Sequence, residues 1–186
     1  MASRKEFLAF GPERMLQRVV RLLGEVVRPV LVAGAEGQEL PALPADVEIV
    51  RDRRPDCGPL AGLEAALLAL RGRAQAVFMT ACDVPLLKPA FVRRIVELAP
   101  DRGIGVLYTE GVAQPLAALY HADVLPHAER LLDSGQLRPL LLFDLVPTRR
   151  IDPSELADCD PELQSLCNVN TPEEYQRALA RAGFGA

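Results

Sequence analysis

Residues 75–85 read QAVFMTACDVP, and this stretch decides the fold. Its apolar positions follow one another without alternating, which suits a strand covered on both faces of a sheet. Asp83 stands directly after the run, and Pro85 turns the chain away from it. Doubly covered strands belong to α/β architectures, in which strands and helices take turns along the chain.

The flanking sequence takes turns in that way. Upstream, Met15, Leu16, Val19, Val20, Leu22, Leu23, Val26 and Val27 recur with helical spacing and predict a helix over 13–27. Pro29 ends it, and PVLVAG (29–34) reads as a buried strand running into the glycine-containing loop 33–44. DVEIV (46–50) predicts a short strand, RDRRPDCGPLAG (51–62) a loop, and LEAALLALRG (63–72) a helix closed by Gly72. Downstream, KPAFVRRIVELAP (88–100) predicts a helix with Pro89 in its first turn. GIGVLYTE (103–110) and AQPLAALYH (113–121) read as strands suited to pairing, and VLPHAERLLDSG (124–135) as a helix stopped by Gly135. The last helix, 172–183, has Thr171 as N-cap and Pro172 at its first position. The expectation is one α/β domain spanning residues 1–186, with a mainly parallel sheet flanked by helices.

Bulk properties narrow the function classes. The 186 residues are 49% hydrophobic and 25% charged, ordinary for a globular protein, and the net charge of -4 offers nucleic acid or anionic membrane no general attraction. No apolar run approaches the roughly 20 residues of a membrane span, and no secretory pattern is present, so the cytoplasm is the expected location. Cys57, Cys82, Cys159 and Cys167 lack metal or redox spacing and read as free thiols. His121 and His127 read as structural or surface residues.

In such sheets ligands gather at the carboxyl ends of the strands, and three loops there carry polar residues. Asp83 is suited to Mg²⁺, which takes one or two carboxylates and completes its shell with water and phosphate oxygens; an ordinary turn aspartate gives the same pattern. Gly58 and Gly62 bracket Pro59, Leu60 and Ala61 where a helix begins. Small residues there admit a nucleotide's phosphates to backbone amides, although a tight strand-to-helix turn also accounts for them. Asn168 and Asn170 alternate in CNVNT (167–171), so in an extended segment both carboxamides point to one side and can read a heterocycle edge; turn chemistry before a capped helix is the plainer account.

Taken in order, RKEFLAFGPERMLQRVV (4–20), CGPLAGLEAAL (57–67), TACDVPLLKPAFV (80–92), QPLAALYHADVLPHAERLLDSG (114–135) and CNVNTPEEY (167–175) resemble the molybdenum cofactor guanylyltransferases. That resemblance implies a Rossmann-like nucleotidyltransferase fold and a Mg²⁺-dependent transfer of GMP from GTP to molybdopterin or its molybdenum-bound form, with release of pyrophosphate. It implies Lys5 and Asp83 as catalytic residues, with Asp83 the metal ligand. Lys5, Asp52, Gly58, Pro59, Leu60, Gly62 and Asp83 would bind the nucleotide, and Gln114, Asn168 and Asn170 the acceptor. Molybdoenzyme maturation proteins follow as prospective partners.

The family's phosphate-binding signature begins with a strand and a Gly-Gly loop and closes on Arg-Met-Gly-x-x-Lys. Met1, Ala2 and Lys5 match that closing part, Ala2 standing where the family has glycine. The expectation is that the natural protein begins upstream, because the preceding strand would bury about five side chains at roughly 1.5–3 kcal/mol each. Ala33 or Gly34 stands where guanylyltransferases commonly carry asparagine, which keeps CTP open as donor. A sugar-phosphate acceptor, or a non-catalytic relative that only binds the cofactor, completes the set of alternatives.

Overall fold

The structure, a computed structural model, describes residues 4–185. The matches assigned to Met1 and Ala2 lie outside the described residues. Lys5–Phe7 form a single 3-10 turn, followed by a hairpin of β1 (Ala9–Phe10) and β2 (Glu13–Arg14). Gly11 turns this hairpin at φ 63°, the left-handed region that favours glycine. Pairing of Glu13 and Arg14 with the first strand delays helix α1 to Met15–Gly24, two residues later than periodicity alone predicts.

Strand β3 (Val30–Gly34) pairs in parallel with β4 (Val47–Arg51). Helix α2 covers Gly58–Ala69, so GPLAG, expected as loop, is its first turn and a half. Gly58 and Pro59 are tolerated there because the first amides of a helix have no intrahelical partner. Next come β5 (Ala76–Thr80) and α3 (Pro89–Leu98), then β6 (Ile104–Thr109), β7 (Val112–His121) and α4 (Leu125–Asp133). The chain closes with β8 (Thr148–Ile151), a run of 3-10 turns and α5 (Pro172–Arg181). Thr171 caps α5 through a reciprocal box: its hydroxyl accepts from the Glu174 amide at 3.2 Å, while a Glu174 carboxylate oxygen accepts from the Thr171 amide at 3.0 Å.

The α/β expectation holds, but the sheet is mixed rather than mainly parallel. The four-stranded sheet runs β5-β7-β6-β8, with β7 antiparallel to both neighbours and β6 parallel to β8. The cause is local. Glu110 and Gly111, at φ 53° and 79°, make a two-residue turn with both residues left-handed, and a loop that short can only join antiparallel strands.

Helices cover both faces. Leu16, Val19 and Val20 of α1 and Phe91, Val92 and Ile95 of α3 pack with Val30, Val32, Leu107 and Ile151 on one side. Leu60, Leu63 and Leu67 of α2 and Ala128, Leu131 and Leu132 of α4 pack with Ile104, Val106, Ala118 and Tyr120 on the other. Phe10, Met15, Val169 and Ala178 form a third cluster that docks α5 on the amino-terminal hairpin. Among the described residues, no helix is long and apolar enough to cross a membrane.

Candidate active site

The carboxyl ends of β3, β4 and β5 open into one cleft, part of a cavity of about 1090 Å³ whose lining includes Gly34, Gln38, Asp52, Gly58, Gly62, Asp83 and Asn168. Four of the expected residues converge on the β5 side. The Lys5 ammonium donates to Asp83 Oδ2 at 2.8 Å and also to the carboxamide oxygen of Asn170. The Val169 amide donates to the Asp83 carbonyl at 2.9 Å, which ties the asparagine segment to the loop after β5. Val169 is buried, while its neighbours Asn168 and Asn170 are exposed. Residues 78 and 165 positions apart in sequence from Lys5 therefore share its ammonium group.

The wall formed by β4 and α2 is built differently. Asp52 follows β4, and its Oδ1 is buried without a hydrogen-bond partner. Desolvation pushes the Asp52 carboxyl above its ordinary value. Gly62 of α2 faces it: a Cβ there would lie 3.3 Å from the Ala33 Cβ and 3.9 Å from Asp52 Oδ1, so the glycine lets helix and strand approach closely. Gly58 and Pro59 line the cleft at the amino end of α2, where unpaired amides favour anions. Leu60 does not: its side chain is fully buried against Ile104 and Ala118, so it can offer a ligand no more than its backbone. Gln114 is also kept apart, since it sits on β7 and its amide nitrogen donates to the Thr109 hydroxyl at 2.7 Å.

Two residues that sequence patterns give no reason to single out help shape the mouth. Gln38 folds back on its own loop, its Oε1 accepting from the Ala35 amide at 3.1 Å while its Nε2 donates to Glu6 at 3.3 Å. Arg51 fixes the same loop by donating to the Ala35 and Gln38 carbonyls at 2.9 and 3.2 Å. The Gln38 amide thus crowds Gly34, where a Cβ would come within 3.0 Å of its Oε1. The glutamine lies four or five residues beyond the position where the family's asparagine is expected, Gly34 or Ala33, and spacing alone does not point there.

Cys82 also faces the cleft and is exposed by area, yet it lies among cleft-wall atoms that displace bulk water. Desolvation, reinforced by the Asp83 carboxylate, pushes its thiol up to about 11, so it is protonated at neutral pH and not a ready nucleophile. Among the described residues no three His, Cys, Asp or Glu side chains form a ready metal cage. A hard cation that keeps most of its water needs no such cage, and one carboxylate beside an anion-binding helix terminus fits that chemistry.

An α/β sheet with a lysine–carboxylate pair and a helix amino terminus at its strand ends suits a nucleotidyltransferase. The sequence profile of the MobA-like NTP transferase domain matches residues 1–148, and the chain belongs to that family. It is 30% identical over 180 residues to a Carboxydothermus hydrogenoformans protein named "Probable molybdenum cofactor guanylyltransferase", covering 96% of this chain and 88% of that one. A Mycobacterium avium protein of the same name is 33% identical over 174 residues, with 92% and 83% covered. The fold is shared with molybdopterin-guanine dinucleotide biosynthesis protein A of Archaeoglobus fulgidus at a TM-score of 0.76 and 19% identity, over 98% of this chain and 92% of that one.

Proposed function

We propose that the chain transfers GMP from GTP to molybdopterin, or to its molybdenum-bound form, with Mg²⁺ as cofactor and pyrophosphate as the second product. The observation that carries this reading is the meeting of Lys5, Asp83 and Asn170 through one ammonium group, because it joins residues from three separate family motifs at the strand ends. The names of the curated relatives, which pair a guanylyl group with the molybdenum cofactor, support the choice of substrates.

In this reading an oxygen of the acceptor's phosphate attacks the α-phosphorus of GTP. The bond from that phosphorus to the bridging oxygen breaks, and pyrophosphate leaves with the electron pair. Such transfers ask for positioning and charge neutralisation rather than covalent help from the protein. Mg²⁺, when bound, supplies positive charge to the phosphate oxygens. Asp83 is the residue that would hold it, and Lys5 turns from Asp83 to the triphosphate. The first-turn amides of α2 receive phosphate oxygens, with Gly58, Pro59 and Gly62 leaving room. Asp52 Oδ1 accepts a hydrogen bond from the guanosine, and Asn168 and Asn170 face the pterin. We place the reaction in the cytoplasm, where free thiols such as the four cysteines persist, with the product passing to molybdoenzyme maturation proteins.

Thermal unfolding with GTP, CTP or neither, each with and without Mg²⁺, tests the donor. A ligand at about 100 times its Kd adds roughly 2.7 kcal/mol. Stabilisation by GTP with Mg²⁺ and none by CTP supports the reading, and the reverse order overturns it.

A further inference from the structure

Among the described residues two carboxylates are fully buried, and they are served unequally. Asp160 receives the Lys88 ammonium and two backbone amides. Glu64, in the second turn of α2 and 2% exposed, has Arg54 Nε at 3.3 Å from its Oε1, while its Oε2 is buried without a partner. Folding alone gains little from such a group, since an apolar side chain would fill the same space without the desolvation cost. A residue that costs stability where it stands points to what it holds.

Glu64 holds Arg54, which lies in the loop between β4 and α2 and reaches on to Asp133 Oδ1 with its Nη1 at 2.7 Å. Asp133 ends α4, where a carboxylate opposes the helix dipole, so the guanidinium offsets an unfavourable charge there as well. The loop has few other restraints. The Asp52 amide donates to the Gly34 carbonyl at 3.0 Å, but the amides of Arg53, Arg54 and Asp56 find no backbone acceptor among the described residues. Asp56 and Gly58 are left-handed at φ 59° and 63°, an uncommon state for an aspartate. Among the described residues no other side chain of 53–57 makes an ion pair. The loop also straddles α2. Asp52 lies against Gly62, on the side of the helix toward β3, whereas Arg54 engages Glu64 and Asp133, on the side toward α4. Residues two apart on a helix point to different sides, so the Arg54 pair anchors the loop across the helix from Asp52.

We propose that Arg54 and Glu64 are positioning residues for the nucleoside triphosphate. Their ion pair fixes the loop shape that turns Asp52 and the first amides of α2 toward one ligand; this rests on the proposed function, in which both groups bind GTP. The two ends of the loop, Asp52 and Gly58, both line the cleft, while Arg54 and Glu64 stand outside its lining. Lys5 and Asp83, at the other wall, are held by their own bonds and do not depend on the clamp. Loss of the clamp therefore weakens binding of ground state and transition state alike, which raises KM and spares kcat.

Two measurements on Arg54→Met and Glu64→Met test this. The first, nitrogen-15 relaxation of the backbone amides, needs no nucleotide. Order parameters at Arg53, Asp56 and Cys57 are expected to fall from about 0.85 to below about 0.6 in either variant. The second is steady-state turnover with GTP, molybdopterin and Mg²⁺. KM for GTP is expected to rise about tenfold with kcat changed by less than about twofold, and Arg54→Lys to recover part of the loss. The double variant is expected to be no worse than Arg54→Met, because the two residues act as one unit. Unchanged order parameters overturn the clamp. So does a KM that stays constant while the melting temperature falls, the pattern of a pair that only supports the fold. Should the protein show no turnover with GTP, the proposed function fails and the order parameters alone decide: a loosened loop supports the clamp, and an unchanged one overturns it. Should Arg54→Met not fold, with Glu64 left buried and unpaired, the double variant removes both charges at once and gives the same readouts.

Discussion

Asp52 and Asp83 both follow strands and face one cleft, yet their surroundings differ. Asp83 belongs to the four-stranded side, where Lys5 engages its side chain and Val169 its carbonyl. Asp52 belongs to the two-stranded side, where its Oδ1 is buried without a partner and desolvation raises its pKa. One wall is fixed by bonds made within the protein. The other carries an unsatisfied acceptor whose cost is recovered only when a donor arrives.

The bonded wall rests on a third carboxylate, and removing it should have the largest effect. Asp160 is fully buried, receives the Lys88 ammonium at 2.8 Å and accepts from the Gln164 and Ser165 amides at 3.1 and 2.8 Å. These bonds pin the 3-10 turns before the asparagine segment to the start of α3. Asp160→Ala should cost about 3–5 kcal/mol in urea unfolding, because it strands Lys88 and two amides. A loss under about 1 kcal/mol would show that the asparagine segment holds its place unaided.

Asp83→Ala comes next. It should lower turnover by about 10²–10³, equivalent to roughly 2.7–4 kcal/mol of transition-state stabilisation. Lys5 and Asp83 are 28% and 15% exposed, so the ion pair contributes little to folding, and stability should fall by about 1 kcal/mol or less. Steady-state kinetics beside an unfolding curve separates the two effects.

Asp52→Asn should act in the opposite sense on stability. Removing an unpaired, desolvated charge should raise unfolding free energy by about 1 kcal/mol while weakening GTP binding about tenfold. Loss of stability instead would mean that the Asp52 charge has a partner, and the contrast between the walls would fail.

The smallest and most diagnostic effect is in pH dependence. Burial alone would raise the Asp160 pKa, but the Lys88 and Ser165 hydrogen bonds overcome it and hold the carboxyl below its ordinary value. Its stabilisation is therefore complete above the unfolded value of about 3.9 and is lost as pH falls through the lower folded value. Asp52, with a raised pKa, contributes most below about 3.9 and loses that contribution as pH rises toward its folded value. Stability-versus-pH curves of Asp160→Asn and Asp52→Asn should accordingly flatten on opposite sides of that pH.

The parts of the molecule legible in its sequence are those whose cause is local. The apolar run 76–81 sets β5, and Thr171 with Pro172 and Glu174 sets the start of α5. β8 is hidden because TRRI is an edge strand in which Ile151 alone is buried, so charged residues mask its alternation. The start of α2 is masked because Gly58 and Pro59 read as loop, though both suit a helix's first turn. Within the site, Lys5, Asp83 and Asn170 stand in recognisable motifs and meet in space. Gln38 and Glu6 carry no such signal, because their pairing depends on how loop 35–39 folds over the cleft. Asp160 sits in ADCDPEL, which reads as a solvated loop until Lys88 closes over it.

Guanylyl transfer at this cleft stands or falls on pyrophosphate release with GTP, molybdopterin and Mg²⁺, measured on the protein and on Asp83→Ala. The expected result is release that requires all three reactants, accompanies formation of the guanine dinucleotide, and is lost in Asp83→Ala. Release no faster than background, or undiminished release by Asp83→Ala, would refute the assignment.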